Sequence, residues 1–176
     1  MKLIRWLAKA LFASAGLALW SCADPSATFT APRSVATSAD LLGGLLGKTG
    51  LVACTPMAAD SASQVIGPDG GTISVGPHTL VVPAGALDSA VMITAVAPSD
   101  TLSRVTFQPQ GLTFQQPARL TMSYANCGLL TLVLPKHIAY VSDALLILDL
   151  LPSIGDIGAR TITGHLRHFS DYAVAW

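Results

Sequence analysis

From Val65 onward, short β-prone runs alternate with turn residues about every 8 to 12 residues, a spacing that suits a sandwich or barrel and not a helical domain. The runs are Ser63 to Ile66, Thr72 to Val75, Thr79 to Val82, Val91 to Val96, Val105 to Gln108, Arg119 to Ser123, His137 to Val141, Ala144 to Asp149 and Thr161 to His165, with Tyr172 to Ala175 closing the chain. Within Thr72-Ile73-Ser74-Val75 and Leu120-Thr121-Met122-Ser123, apolar and polar residues alternate, so one face of each run points inward. Asp69-Gly70-Gly71 supplies a turn, while Pro83, Pro109 and Pro117 fall between runs, where a missing N–H breaks no ladder. The expectation is an antiparallel β-sandwich of about nine short strands. Ala144 to Leu151 is apolar almost throughout and reads as a buried strand or a short helix, because period alone does not separate the two.

Composition points the same way. All ten acidic residues are Asp, and the chain has no Glu and four Lys, so it lacks the residues that coat exposed helices. Charged residues make up 11% of the 176 positions, against about 25% in ordinary domains. The balanced charge carries no basic stripe and argues against a nucleic-acid partner. No repeat with a period of roughly 20 to 50 residues is visible, which argues against solenoids and propellers.

The N-terminus reads as an export signal. Lys2, Arg5 and Lys9 precede the uncharged run Ala10 to Trp20, about 11 residues, against the roughly 20 that a bilayer-spanning helix needs. Leu19-Trp20-Ser21-Cys22 resembles the bacterial lipoprotein box, in which the Cys is acylated and becomes the new N-terminus; Trp20 is bulkier than that position usually carries. The alternative is ordinary cleavage with Cys22 incidental. Domain organisation follows as a signal peptide at 1–21, an Ala/Ser/Thr/Pro-rich tether and packing segment at 22–61, and a β-sandwich domain at 62–176. Removing the signal takes three cations and no anion, leaving seven basic against ten acidic groups. In the tether, Leu41-Leu42 and Leu45-Leu46 have the spacing of one amphipathic turn, and Leu51-Val52 leads into Cys54, a stretch expected to pack on the domain.

Three cysteines are an odd number for an exported chain, but a lipid on Cys22 leaves Cys54 and Cys127 as a pair, expected as a disulfide. Two buried free thiols are the alternative. No CxxC spacing or histidine cluster suggests a metal site, and no cofactor motif is present.

The ordered set Gly70-Gly71-Thr72, Leu80-Val81-Val82-Pro83-Ala84-Gly85-Ala86-Leu87 and Val105 through Leu120 resembles the ZU-five domain family, named for zonula occludens proteins and the uncoordinated-five netrin receptors. The likeness spans about Ile66 to Trp176. It implies a β-sandwich used for docking, with Pro83 ending a strand, Ala86-Leu87 plugging one end of the core, and Phe107, Leu112 and Phe114 inside it. The chain leaves no room for the partner or death domains of the animal architecture, so animal partners do not carry over. Lone domains of this type in exported bacterial chains are the closer comparison.

One sequence carries chemistry. His168-Phe169-Ser170 matches the site at which some members of the resembled family cut their own backbone, between Phe and Ser. There Ser170 Oγ would attack the Phe169 carbonyl, His168 would accept the hydroxyl proton, and an N-to-O acyl shift would give an ester that water opens. The plain alternative is that His168 and Ser170 hydrogen-bond at the start of the last strand while Phe169 anchors it. His165 and His168 fall on opposite faces of a strand, Asp143, Asp149 and Asp156 lack the spacing of a calcium loop, and no G-x-S-x-G marks a hydrolase. The chain therefore reads as a non-enzymatic binding or structural module. It is expected to be exported, held by lipid at Cys22 in the periplasm or at the bacterial surface, without cofactor and with its protein partner or ligand unspecified.

Overall fold

The computed structural model describes residues 50–128 and 134–176. Residues 1–49, which hold the expected export signal, Cys22, Leu41 to Leu46 and most of the expected tether, lie outside the described residues. Eleven strands run through the described part: β1 (Asp60–Ile66), β2 (Gly71–Val75), β3 (His78–Val82), β4 (Val91–Ala97), β5 (Arg104–Gln108), β6 (Thr113–Ser123), β7 (His137–Val141), β8 (Ile147–Leu151), β9 (Ser153–Asp156), β10 (Thr161–His168) and β11 (Asp171–Ala175). They form a six-stranded sheet in the order β1-β4-β5-β11-β7-β8 and a five-stranded sheet in the order β2-β3-β6-β10-β9. Every pairing is antiparallel. The protein is thus the all-β sandwich that the turn spacing predicts.

Alternation builds the core. In β2, Ile73 and Val75 are buried while Thr72 and Ser74 are exposed. In β10, Ile162, Gly164 and Leu166 are buried between more exposed neighbours. These faces join Leu80, Leu120 and Met122 and meet Ile93, Val105 and Phe107 of the other sheet in one cluster. Burying each such large side chain contributes about 1.5–3 kcal/mol. β11 is buried along its whole length, because it is central in its sheet and covered on both faces. Tyr172 and Val174 point into the main core. Ala173 and Ala175, with Ala139 and Val141 of β7, form a second apolar cluster on the outer face, and Leu51 covers it.

The segment entering the domain is held by isolated bridges from Leu51 to Ala175, Ala53 to Leu102 and Cys54 to Cys127. Cys54 and Cys127 form the expected disulfide across 73 residues. Pro83 ends β3, Ala86 and Leu87 are buried at the end of the core, and Phe107 is 1% exposed with Leu112 and Phe114 packed against the same cluster.

Three expectations are corrected. β6 starts at Thr113 instead of Arg119 and runs through Pro117. Its pairing with β10 jumps from Ala118–Leu166 to Thr113–His168, and the residues of β6 paired with β3 are Arg119, Leu120 and Thr121, so the missing N–H of Pro117 falls where neither ladder uses it. Ala144 to Leu151 is neither a buried strand nor a helix. Leu145 takes a left-handed turn (φ 60°), and β8 follows as an edge strand with Leu148 and Leu150 exposed, since its single neighbour is β7. The third is β9, additional to the expected runs. Its Ser153-Ile154-Gly155-Asp156 has weak strand propensity and is held by pairing with β10.

Candidate functional site

The His168-Phe169-Ser170 junction lies where the chain leaves β10 in one sheet and enters β11 in the other. The break in register after Leu166 turns the backbone there. Phe169 is 1% exposed; its ring stacks on Phe107 at 5.1 Å between centroids and meets Phe114 edge-on at 4.9 Å. The Phe169 N–H donates to Leu112 O at 2.7 Å, and the Phe169 carbonyl accepts from the Gly111 N–H at 3.0 Å. His168 stands edge-on to Tyr140 at 5.1 Å, with Nδ1 3.5 Å from the Phe169 carbonyl oxygen. Its own carbonyl accepts a 2.7 Å bond from the Tyr172 hydroxyl. Burial first, and Tyr140 second, push that hydroxyl above the ordinary tyrosine range. Ser170 is half-buried, and its hydroxyl makes no hydrogen bond among the described residues. A peptide carbonyl polarised by a backbone N–H, with an imidazole beside it, is an arrangement that can stabilise a developing oxyanion. Next in the chain, Asp171 is buried with its Oδ1 unpartnered.

The remaining histidines separate. His165 is exposed on the outer face of the five-stranded sheet, whereas His168 sits among Tyr140 and Tyr172. Among the described residues, no three His, Cys, Asp or Glu side chains come together as a metal site. Asp149 and Asp156 accept bonds from the Leu150 and Ala159 N–H groups, and Asp143 lies in the connection between β7 and β8.

Two concavities flank β9. One, about 620 Å³, opens on the outer face of the five-stranded sheet, where Arg119 is paired in register with His165 and the Thr121 and Thr163 hydroxyls bond at 2.9 Å. The other, about 310 Å³, is a mouth at the side of the sandwich lined by Tyr124, Lys136, His137, Ser153, Gly155 and Ile157, with Leu134 and Pro135 at its rim. Lys136 is only 8% exposed and is covered by its neighbours rather than deeply embedded; burial holds its ammonium below the usual lysine range. Its Nζ donates to Leu134 O and stands 5.6 Å from the centre of the Tyr124 ring. Among the described residues no carboxylate pairs with it.

Lys136 and His78 are among the residues that the sequence does not single out. Neither had a local signal, because Pro135-Lys136-His137 and Pro77-His78-Thr79 look like ordinary strand starts. His78 is 2% exposed, and its Nδ1 accepts the Ser123 N–H at 3.3 Å, which requires the neutral ring. Desolvation lowers its pKa from 6.5 to about 4. Between those values the unfolded chain holds a proton that the folded one does not. Stability is therefore fully present above pH 6.5 and falls by about 3 kcal/mol as pH drops to 4. Urea unfolding from pH 7 to 4 should show this loss, and His78→Asn should remove most of it; an equal slope in the variant would refute the assignment.

No protein-family model matches the chain, and neither does any curated protein.

Proposed function

We propose that this is an exported, lipid-anchored binding or structural module of the ZU-five type, without enzymatic turnover on an external substrate. The observation that carries the reading is an apolar rim. Leu146, Leu148, Leu150, Ile154 and Ile157, on or beside β8 and β9, are 43–81% exposed. Both strands are the last in their sheets, joined through Pro152, and edge strands are normally guarded by charge or covered. Exposed apolar side chains gathered in this way mark an interaction surface. A disulfide fits an oxidising compartment and so supports export. The ordered turn and core residues from Gly70 to Leu120 support the family likeness. Lipid on Cys22 would hold the module at a membrane through its tether.

The second reading is self-cleavage between Phe169 and Ser170, favoured by the Gly111 N–H bound to the Phe169 carbonyl. Cleavage would leave Ser170–Trp176 covalently free while β11 stayed paired with both β5 and β7. One experiment addresses both readings: intact mass under denaturing conditions of chain recovered from bacterial membranes. The expected species begins at Cys22, carries lipid mass and ends at Trp176, and Cys22→Ser should leave the membrane fraction. A lipid-free chain would overturn the anchor. A chain lacking its last seven residues, restored by Ser170→Ala, would replace the first reading by the second.

A further inference from the structure

Lys136 breaks a rule that charged side chains usually obey. It is nine-tenths covered, yet among the described residues no acid pairs with it, and its single hydrogen bond goes to the Leu134 carbonyl. Covered charges are ordinarily paired, because taking an ammonium out of water without a counter-charge is costly. The Tyr124 ring offsets part of that cost, and an ammonium has three donors, of which the carbonyl takes one. Asp156, between the mouth residues Gly155 and Ile157, lines the other concavity flanking β9, and its Oδ1 accepts the Ala159 N–H. Arg160 adds a second cation close by, its guanidinium donating to Ala125 O beside Tyr124.

Around this charge much of the mouth is apolar, with His137 and Ser153 as its other polar members. Tyr124, Leu134, Pro135, Gly155 and Ile157 supply hydrocarbon or bare backbone, and Ile157 is 67% exposed. The volume of about 310 Å³ is at the low end for small-molecule sites. We propose that this mouth binds a small amphipathic anion, a carboxylate or phosphate carried on a short alkyl chain. The head pairs with Lys136 Nζ and the chain lies on Tyr124, Leu134 and Ile157. The Lys136 charge selects an anionic head and repels cationic amphiphiles. The proposal rests on the reading of the domain as a binding module and names the class of its ligand.

The test is calorimetric titration of the purified full chain with octanoate, octyl phosphate, 1-octanol and acetate. Saturable binding of one or both octyl anions is expected, with octanol and acetate at least tenfold weaker, since a charge-assisted hydrogen bond in a covered site is worth about a factor of ten or more. Comparison of octanoate with octyl phosphate tells which head is preferred. Lys136→Met should weaken the octyl anions at least tenfold while leaving octanol unchanged, and Lys136→Arg should retain them. The ligand-free melting temperature of Lys136→Met should equal or exceed that of wild type, which a merely structural lysine would not allow. Should Lys136→Met fail to fold, Ile157→Asp at the exposed rim serves in its place and should also weaken the anions tenfold. Equal affinity for octanol and octanoate, unchanged anion binding in these variants, or no saturable binding overturns the proposal. Loss with Arg119→Met but not Lys136→Met would move the site to the outer face and equally overturn it. A null titration with an intact, lipid-bearing chain removes the ligand assignment alone, whereas cleavage at Phe169 removes the module reading.

Discussion

Gly70→Ala is expected to cost on the order of 4 kcal/mol or more and to leave little folded protein. Gly70 has φ +76°, and a Cβ added there would clash with the Val82 carbonyl oxygen and lie 2.7 Å from the Pro83 carbonyl carbon and 2.8 Å from the Ala84 nitrogen. All three are backbone atoms of the segment that ends β3, so no side chain can swing aside. The same turn carries the Gly70 N–H bond to Gly67 O and sits beside the Gly85 N–H bond to Pro68 O. Moving it would break the start of both β2 and the connection after β3. Left-handed strain of about 1–2 kcal/mol adds to the clash, and a domain with about 5–15 kcal/mol in all has little margin. Gly111→Ala is the control, since φ is +77° but nothing lies within 4 Å of the added Cβ. It should lose about 1–2 kcal/mol by strain alone. Urea unfolding of the two variants compares them directly. If Gly70→Ala proved no worse than Gly111→Ala, close backbone approach would not be the reason for glycine at position 70.

Removing the disulfide ranks next. Cys54–Cys127 closes a loop of 73 residues, for which chain entropy gives about 4 kcal/mol, and Cys54→Ser with Cys127→Ser should lower stability by about 3–4 kcal/mol. The loss should be uneven. Residues 51–55 belong to no named strand and are held by the Val52 N–H to Val174 O (2.8 Å), the Cys54 N–H to Thr101 O (2.7 Å), the Thr55 N–H to Asn126 O (2.9 Å) and the Asn126 amide to Thr55 O (2.6 Å). Without the covalent link this segment opens first and uncovers Ala173 and Ala175. Hydrogen exchange should therefore accelerate at Val52 and at position 54 well before it does in β4 and β5. Uniform acceleration would mean that the segment is integral to the core and not strapped onto it.

These two sites differ in how far the sequence revealed them. The Asp69-Gly70-Gly71 turn and the cysteine pair could be read directly, because turn chemistry and an even count of thiols are local or countable properties. Alternation likewise placed Ile73, Val75, Leu120 and Met122 in the core. What the sequence could not supply was each strand's number of neighbours. Ala144 to Leu151 looks buried because it is apolar; it is exposed because β8 ends its sheet, and sheet order is a long-range property. Pro117 looks like a strand boundary because its N–H is missing, yet β6 passes through it at a point where neither partner needs that donor. Lys136 shows the same limit at the level of a site. Its covering comes from Tyr124 and Leu134, and only the folded chain brings it to a mouth shared with β9. Conversely, His168-Phe169-Ser170 is conspicuous in sequence, and in the fold it joins the two sheets with Phe169 as its anchor.

The position of β11 has a consequence for how the molecule can be assembled. It lies between β5 and β7, yet it follows both in the chain. As a nascent polypeptide grows from its N-terminus, Arg104–Gln108 and His137–Val141 are made while the strand that joins them does not yet exist. Each therefore presents an unsatisfied row of backbone donors and acceptors until Asp171–Ala175 arrives. In chain order the larger sheet therefore has two halves that β11 joins last, and a chain still lacking that strand exposes two edges open to mispairing.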